Sequence, residues 1–326
     1  MLKPIEQVNN ILCFRNDRFG EFLLNIPAFG ALKKSYPGSK LTLIVDPYVR
    51  ELAGCIDCVD DIILWENKKH SFFEIIRLSS RLKAKRFGLS VAFNPSKEFN
   101  IVSFLAGVPL RFGYDHKLGF LLTHRLKDKK YLGERHEIEY NLELARLTGA
   151  IAEDKELSLS VDSHLVDDLF KEIGLGSLDN LLALHPWTSD PLKQWPQVSF
   201  SSLAGQLLSD KRLSIVVIGG REEYPKSLEF CRGLKVNNLV GKTSLVQLAA
   251  LLKRSRLLIS GDSGPIHLAA CVGTPVIAIF RNDLPGKSPR RWGPWGQGHI
   301  VIEKNNLAEI SVEEVLNKAR EKLKSL

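Results

Sequence analysis

Three short loops hold the residues whose types and spacing could do chemistry. The first reads Arg15-Asn16-Asp17-Arg18-Phe19-Gly20-Glu21, the second runs from His185 to Pro196, and the third from Ser260 to Ala270. In the first, two carboxylates stand beside two arginines. Glu21, or in second place Asp17, is a candidate base for taking the proton of a hydroxyl, and Arg15 and Arg18 are candidates for binding the acceptor that carries it. Glu21 also stands near a helix start, where a carboxylate complements the helix dipole without any catalytic duty. A dinucleotide-binding turn needs GxGxxG, and this loop supplies only Gly20.

The second loop offers the hydroxyls of Thr188 and Ser189 and the ammonium of Lys193. Such a set stabilises charge developing on a departing diphosphate, although a lysine of this kind is also an ordinary surface residue. In the third, Ser260-Gly261-Asp262-Ser263-Gly264-Pro265-Ile266-His267 leads from a strand into a helix. Pro265 suits a first helical turn, and Ser263 and Gly264 leave backbone amides to hold phosphate oxygens at the positive end of the dipole. Asp262 is placed to fix ribose hydroxyls, a loop lysine or the turn itself. His267 is either a ligand contact or an internal cap. Gly241-Lys242-Thr243 ends like a P-loop, but the glycine required five places earlier is Val236, so no phosphate cradle of that type forms.

The elements that must position these loops alternate between strand and helix. Ile11 to Phe14, Leu41 to Val45, Ile62 to Leu64, Leu89 to Phe93 and Arg111 to Tyr114 read as strands. Helical spacing runs from Gly20 to near Pro37, from Phe72 to Lys85, from Lys97 to Ala106 and from His136 to Leu147. The second half repeats the pattern, with strands at Leu181 to Leu184, Leu213 to Ile218, Leu257 to Ser260 and Val276 to Phe280. Its helices lie near Ser199 to Ser209, Pro225 to Leu234, Ser244 to Arg254, Pro265 to Val272 and Ser311 to Leu326. Strand, turn, helix, strand is a parallel α/β unit, so the class is α/β with two Rossmann-like doubly wound domains. The polar stretch from Thr148 to Ser163 places the boundary near it, giving domains 1–165 and 166–326. Ligands of such sheets bind beyond the carboxyl ends of the strands, where all three loops lie.

Composition narrows the partner. The chain has 326 residues, enough for two cores, and no apolar run of the roughly 18 residues a membrane span needs. The opening MLKPIEQVNN lacks the apolar stretch of a secretory signal, which points to a cytosolic protein. Five cysteines are an odd number for a disulfide framework, and the single CxxC of Cys55 and Cys58 lacks the second pair of a structural zinc site. Metal and cofactor are therefore not expected. A net charge of +8 and a pI near 9.2 suit an anionic partner: a phosphorylated sugar, a membrane surface or nucleic acid. No nucleic-acid recognition motif appears, which sets that partner aside.

Together the loops resemble glycosyltransferase family 9, the lipopolysaccharide heptosyltransferases. RNDRFGEFLLNIPAFGALKKSYPGSKLTLIV is similar to the family's N-terminal block, HEIEYNLELARLTG to its mid-chain helix, and GDSGPIHLAACVGTPVIAIF to its C-terminal signature. The resemblance implies a GT-B fold, two domains facing a cleft, with metal-independent inverting transfer from a nucleotide sugar, ADP-heptose in the usual case. The N-terminal domain would take a lipopolysaccharide core acceptor at the inner membrane face, and the C-terminal domain the donor. By position, Lys193 and Thr188 would meet the donor diphosphate, and Asp262, Ser263, Gly264 and His267 would line the nucleotide-sugar pocket. Glu222 is similar to an acidic residue near the nucleoside, with Glu223 an equal candidate. Two positions depart from the family. Glu21 stands where an Asp base is usual, and Arg281 follows Phe280 where glycine is common. A monomer is expected. Two alternatives keep the fold: a transferase using another nucleotide sugar for surface polysaccharide, or a noncatalytic nucleotide-sugar-binding protein.

Overall fold

Short apolar strands buried on both faces, joined by helices that cover them, build two parallel sheets. The computed structural model describes residues 8–176 and 178–325. Residues 1–7, read above for the lack of a secretory signal, and Leu326, at the end of the expected last helix, lie outside the described residues. The first unit, up to Leu157, runs β1 (Asn10–Phe14), α1 (Phe19–Leu23), α2 (Ile26–Ser35), β2 (Lys40–Val45), α3 (Arg50–Gly54), β3 (Asp61–Leu64), α4 (Phe72–Ala84), β4 (Leu89–Ala92), α5 (Lys97–Leu105), β5 (Leu110–Tyr114), β6 (His124–Leu126) and α6 (Glu137–Leu147). The second, from Ser158, runs α7 (Leu165–Glu172), β7 (Leu181–His185), α8 (Gln197–Leu207), β8 (Ser214–Val217), α9 (Tyr224–Phe230), β9 (Asn237–Asn238), α10 (Leu245–Arg254), β10 (Leu257–Gly261), α11 (Gly264–Cys271), β11 (Val276–Arg281), α12 (Pro289–Trp292), β12 (Ile300–Lys304) and α13 (Val312–Lys324).

Both sheets are six-stranded and parallel. The first has the order β3-β2-β1-β4-β5-β6 and the second β12-β11-β10-β7-β8-β9. Each is the doubly wound order in which the chain leaves the middle in both directions. The crevice where the order reverses lies between β1 and β4 in one unit and between β7 and β10 in the other, and there the loops splay apart to admit a ligand. The three loops singled out above follow β1, β7 and β10, so all three border these switch points.

Three departures from the sequence reading have local causes. The helix expected after Gly20 is two helices, because Pro27 has no N–H to continue the ladder. The Asn25 amide instead donates to the Glu21 carbonyl at 2.8 Å, fixing the turn behind that carboxylate. The segment after Leu157 packs with the second unit, not the first: Leu159 donates to the Cys271 carbonyl, Lys253 to the Val161 carbonyl at 2.8 Å, and Arg254 pairs with Asp167 of α7. The units therefore divide between 157 and 158, ahead of the boundary drawn from composition. Finally, β6, β9, β12, α3, α7 and α12 carried no sequence expectation.

Packing behind the loops is aromatic. Phe14, the last residue of β1, stacks on Phe99 of α5 at 4.7 Å, and Trp195, fully buried, meets Phe200 edge-on at 4.8 Å. The Trp195 indole donates to the Ile310 carbonyl at 3.0 Å, tying the end of the second loop to the segment before α13. Among the described residues, no helix is long and apolar enough to cross a membrane.

Candidate active site

Arg15 leaves β1 pointing into the core, only 3 % exposed, and gathers carboxylates around itself. Its Nε lies 2.6 Å from Asp17 Oδ1, one terminal nitrogen donates to Glu21 Oε2 at 3.3 Å, and the other lies 4.0 Å from Glu137 Oε1. That second nitrogen also donates to the Phe93 carbonyl at the end of β4, across the switch point. Burial works against the Arg15 charge, but Asp17, Glu137 and Glu21 outweigh it and raise its pKa. Burial, reinforced by the Asp17 charge and by a hydrogen bond that the protonated Glu21 donates to that neighbour, pushes the Glu21 carboxyl up to about 7, with Arg15 opposing. A carboxyl held there exchanges protons near neutral pH, which a general base requires. Arg18, at the start of α1, is exposed.

Behind the arginine stands a second layer that the sequence reading missed. Lys130 Nζ lies 2.6 Å from Glu137 Oε1, donates to Asn141 Oδ1 at 3.3 Å, and sits 4.7 Å over the Tyr114 ring. Asn141 donates in turn to the Leu24 carbonyl at 3.0 Å, beside the turn between α1 and α2. Glu137 and Asn141 fall four residues apart on the buried face of α6. Two polar residues at core positions of an amphipathic helix were the available signal.

In the second unit the loops after β7 and β10 interlock. Lys193 Nζ donates to Asp262 Oδ2, joining the two candidate phosphate loops through a single ion pair. Burial raises the Asp262 pKa, and Lys193 counters it. Thr188 donates through its hydroxyl to the Asp190 carbonyl at 2.8 Å, and Asp190 caps the turn through Leu192 N at 3.1 Å. Gly261 is glycine for a spatial reason: a Cβ there would lie 2.9 Å from the Thr188 methyl. Ser263 precedes α11 without a side-chain cap bond to it, and no acidic residue occupies the first turn, so the helix end keeps its positive potential for an anion. His267 is buried on that helix and Ser189 is exposed at the loop tip.

His185, at the end of β7, ties the site together. Its Nδ1 lies 3.2 Å from Ser260 Oγ and 3.0 Å from Ser263 Oγ, and its Nε2 lies 3.8 Å from Glu223 Oε2. Burial raises the Glu223 pKa, yet the hydrogen bond with His185 and one from Gly220 N at 2.7 Å leave it lowered. Of the two glutamates considered for the nucleoside, Glu223 turns inward to this cluster and Glu222 stays exposed. Beyond β11, Arg281 pairs with Asp283 at 2.5 Å, and Lys287 lies 3.4 Å from Asp190, so the basic stretch that departs from the family borders the Lys193 loop. A cavity of about 390 Å³ elsewhere on this unit is lined by Asn180, Leu213 and Arg256. These residues precede β7, β8 and β10, so it lies at the wrong edge of the sheet for chemistry at the strand ends.

Residues 75–319 match the sequence pattern of glycosyltransferase family 9 (heptosyltransferase). The chain is 24 % identical over 289 residues to lipopolysaccharide heptosyltransferase 2 of Escherichia coli, covering 83 % of this chain and 82 % of that one. Among solved structures it is similar to a glycosyl transferase family 9 protein of Veillonella parvula, with a TM-score of 0.87, 21 % identity and 98 % of each chain covered. It is similar also to the E. coli ADP-heptose lps heptosyltransferase II, with a TM-score of 0.85, 22 % identity, and 97 % of this chain and 99 % of that one covered. The fold is GT-B, as the paired doubly wound sheets and these neighbours show. On the extent of the sequence match, the chain belongs to glycosyltransferase family 9, the heptosyltransferase family.

Proposed function

We propose that the protein transfers a heptose from ADP-heptose to a lipopolysaccharide core acceptor, with inversion at the anomeric carbon and without a metal ion. The observation that carries this reading is the carboxylate cluster around the buried Arg15, in which burial and the neighbouring Asp17 lift Glu21 to about 7 against the pull of Arg15, at the first switch point. The names of the E. coli relatives supply the sugar and the acceptor class.

In the proposed reaction Glu21 removes the proton of an acceptor hydroxyl as its oxygen attacks the anomeric carbon from the face opposite the diphosphate. The new carbon–oxygen bond forms as the bond to the phosphate oxygen breaks, and the nucleoside diphosphate leaves with the electron pair. Lys193, Thr188 and the amino end of α11 take up the developing charge. The Lys193 to Asp262 pair is the resting state of that cation, which exchanges one anionic partner for another when a donor enters. Arg18, exposed in the same loop, meets the acceptor, while Arg15, expected from the sequence to share that role, is buried among its carboxylates and holds Glu21 in place. The acceptor sits at the cytoplasmic face of the inner membrane, and a monomer suffices for this chemistry.

Incubation with ADP-heptose and a truncated core acceptor is expected to yield a heptosylated product of inverted configuration by mass spectrometry and NMR. Absence of transfer from any activated heptose contradicts the reading. A second donor class is favoured by one observation, the Arg281, Asp283 and Lys287 group beside the Lys193 loop. Stronger thermal stabilisation by another nucleotide sugar than by ADP-heptose would select it.

A further inference from the structure

Helix α4 carries apolar side chains that its core does not use. Leu78, Ser79 and Leu82 are buried, whereas Phe72, Phe73 and Ile76 are 67 %, 80 % and 38 % exposed. Helical periodicity puts Phe73 and Ile76 off the buried stripe, while Phe72, seven residues before Ser79, continues the stripe at the helix start and is nevertheless exposed. The two rings meet edge to face at 6.4 Å, forming one apolar knob at the helix start. Single exposed apolar residues are ordinary, but adjacent large aromatics held in water mark a surface made to be covered.

Charge flanks the knob at Lys68, Lys69 and Arg77 and continues along the helix away from it. From 66 to 86 the sequence has seven lysines and arginines against two glutamates. Both glutamates are engaged: Glu74 closes a capping box with Ser71, and Glu66 pairs with Lys68. Lys69, Arg77, Arg81, Lys83 and Arg86 are exposed. The segment is also anchored to the reaction loop. Trp65 stacks on His70 at 3.8 Å, and Glu98 accepts from the Trp65 indole and lies 2.9 Å from His70 Nδ1. Asn16 of the first loop donates to the Trp65 carbonyl. Because α4 follows β3 of a parallel sheet, its start lies at the same edge as Glu21.

We infer that the amino end of α4 docks on an anionic lipid surface. Phe72 and Phe73 enter the headgroup layer, and the exposed lysines and arginines before and along the helix meet lipid phosphates, the arrangement by which interfacial helices bind. Docking holds the Glu21 loop toward a lipid-borne acceptor, a consequence that rests on the proposed function. The docking itself does not. A protein partner would have to combine an apolar pocket with an acidic rim, and the test distinguishes it.

The full chain is sedimented with phosphatidylethanolamine/phosphatidylglycerol vesicles and with pure phosphatidylcholine vesicles. Binding to the anionic vesicles alone is expected, weakened in 1 M salt as the screening length falls to about 3 Å. The double variant Phe72→Ser/Phe73→Ser is expected to bind about tenfold more weakly or worse, with an unchanged melting temperature because both rings are exposed. Its transfer to an acyl-free soluble acceptor is expected to match wild type, while transfer to a vesicle-embedded acceptor falls. No sedimentation with anionic vesicles, equal binding to neutral ones, or wild-type binding by the double variant each overturns the docking site. Vesicle binding without any sugar transfer would sink the proposed function and leave the docking site standing.

Discussion

Glu21 owes its candidate role to its neighbours. Its folded pKa of about 7 lies above the ordinary 4.5, so between those values the folded chain holds a proton that the unfolded chain has lost. The group's contribution to stability is therefore fully present below pH 4.5 and is lost as pH rises through about 7. Glu21→Gln removes the ionisation and keeps the shape. Its urea unfolding at pH 8 is expected to show stability at or above wild type, while turnover falls by about 10²- to 10⁴-fold. A less stable variant with unchanged turnover would mean that the carboxylate is only a helix-end charge. Asp17→Asn removes a charge that raises Glu21, so the acid limb of the pH–rate profile is expected to move to lower pH. Lys193→Met leaves Asp262 buried without its cation and deprives the departing diphosphate of a charge. The drop expected in single-turnover rate is about 10²- to 10³-fold.

The elements behind these residues set positions to within an ångström. Gly261→Ala pushes a methyl against Thr188, 2.9 Å away, so the second loop must shift. A displacement of about 1 Å can cost about a hundredfold in rate, and the loss is expected in transfer assays more than in melting temperature. Trp195→Ala removes a fully buried indole and its bond to Ile310, with an expected cost of about 3–5 kcal/mol in denaturant unfolding. Strands such as Ile11 to Phe14 and Leu257 to Ser260 were legible because a sheet covered on both faces is written as unbroken apolar residues. Asn237–Asn238 has no such signature, and β6 and β12 are edge strands whose polar positions dilute it. The loops were legible because they follow strands. The Lys130, Glu137 and Asn141 layer was not, since its partners meet Arg15 from more than a hundred residues away in sequence. His185 read as part of a loop, although its bonds to Ser260 and Ser263 make it the tie between two loops.

Across the whole molecule the same strand order occurs twice, and each copy places its candidate chemistry at its own switch point. The first unit offers a candidate base beside the buried Arg15 and the second a candidate anion site at the Lys193 and α11 loops. Donor binding is therefore expected to stabilise the chain by about 2.7 kcal/mol at a hundred times its dissociation constant, read as a rise in melting temperature with ADP-heptose. No rise with any nucleotide sugar would remove the donor from the account. The most direct test of the central claim is kcat/KM for heptose transfer measured against pH in wild type and Glu21→Gln. The account predicts a wild-type rate that climbs through an apparent pKa near 7 and a variant with that limb and most of its rate gone. Superimposable profiles for the two proteins would contradict it.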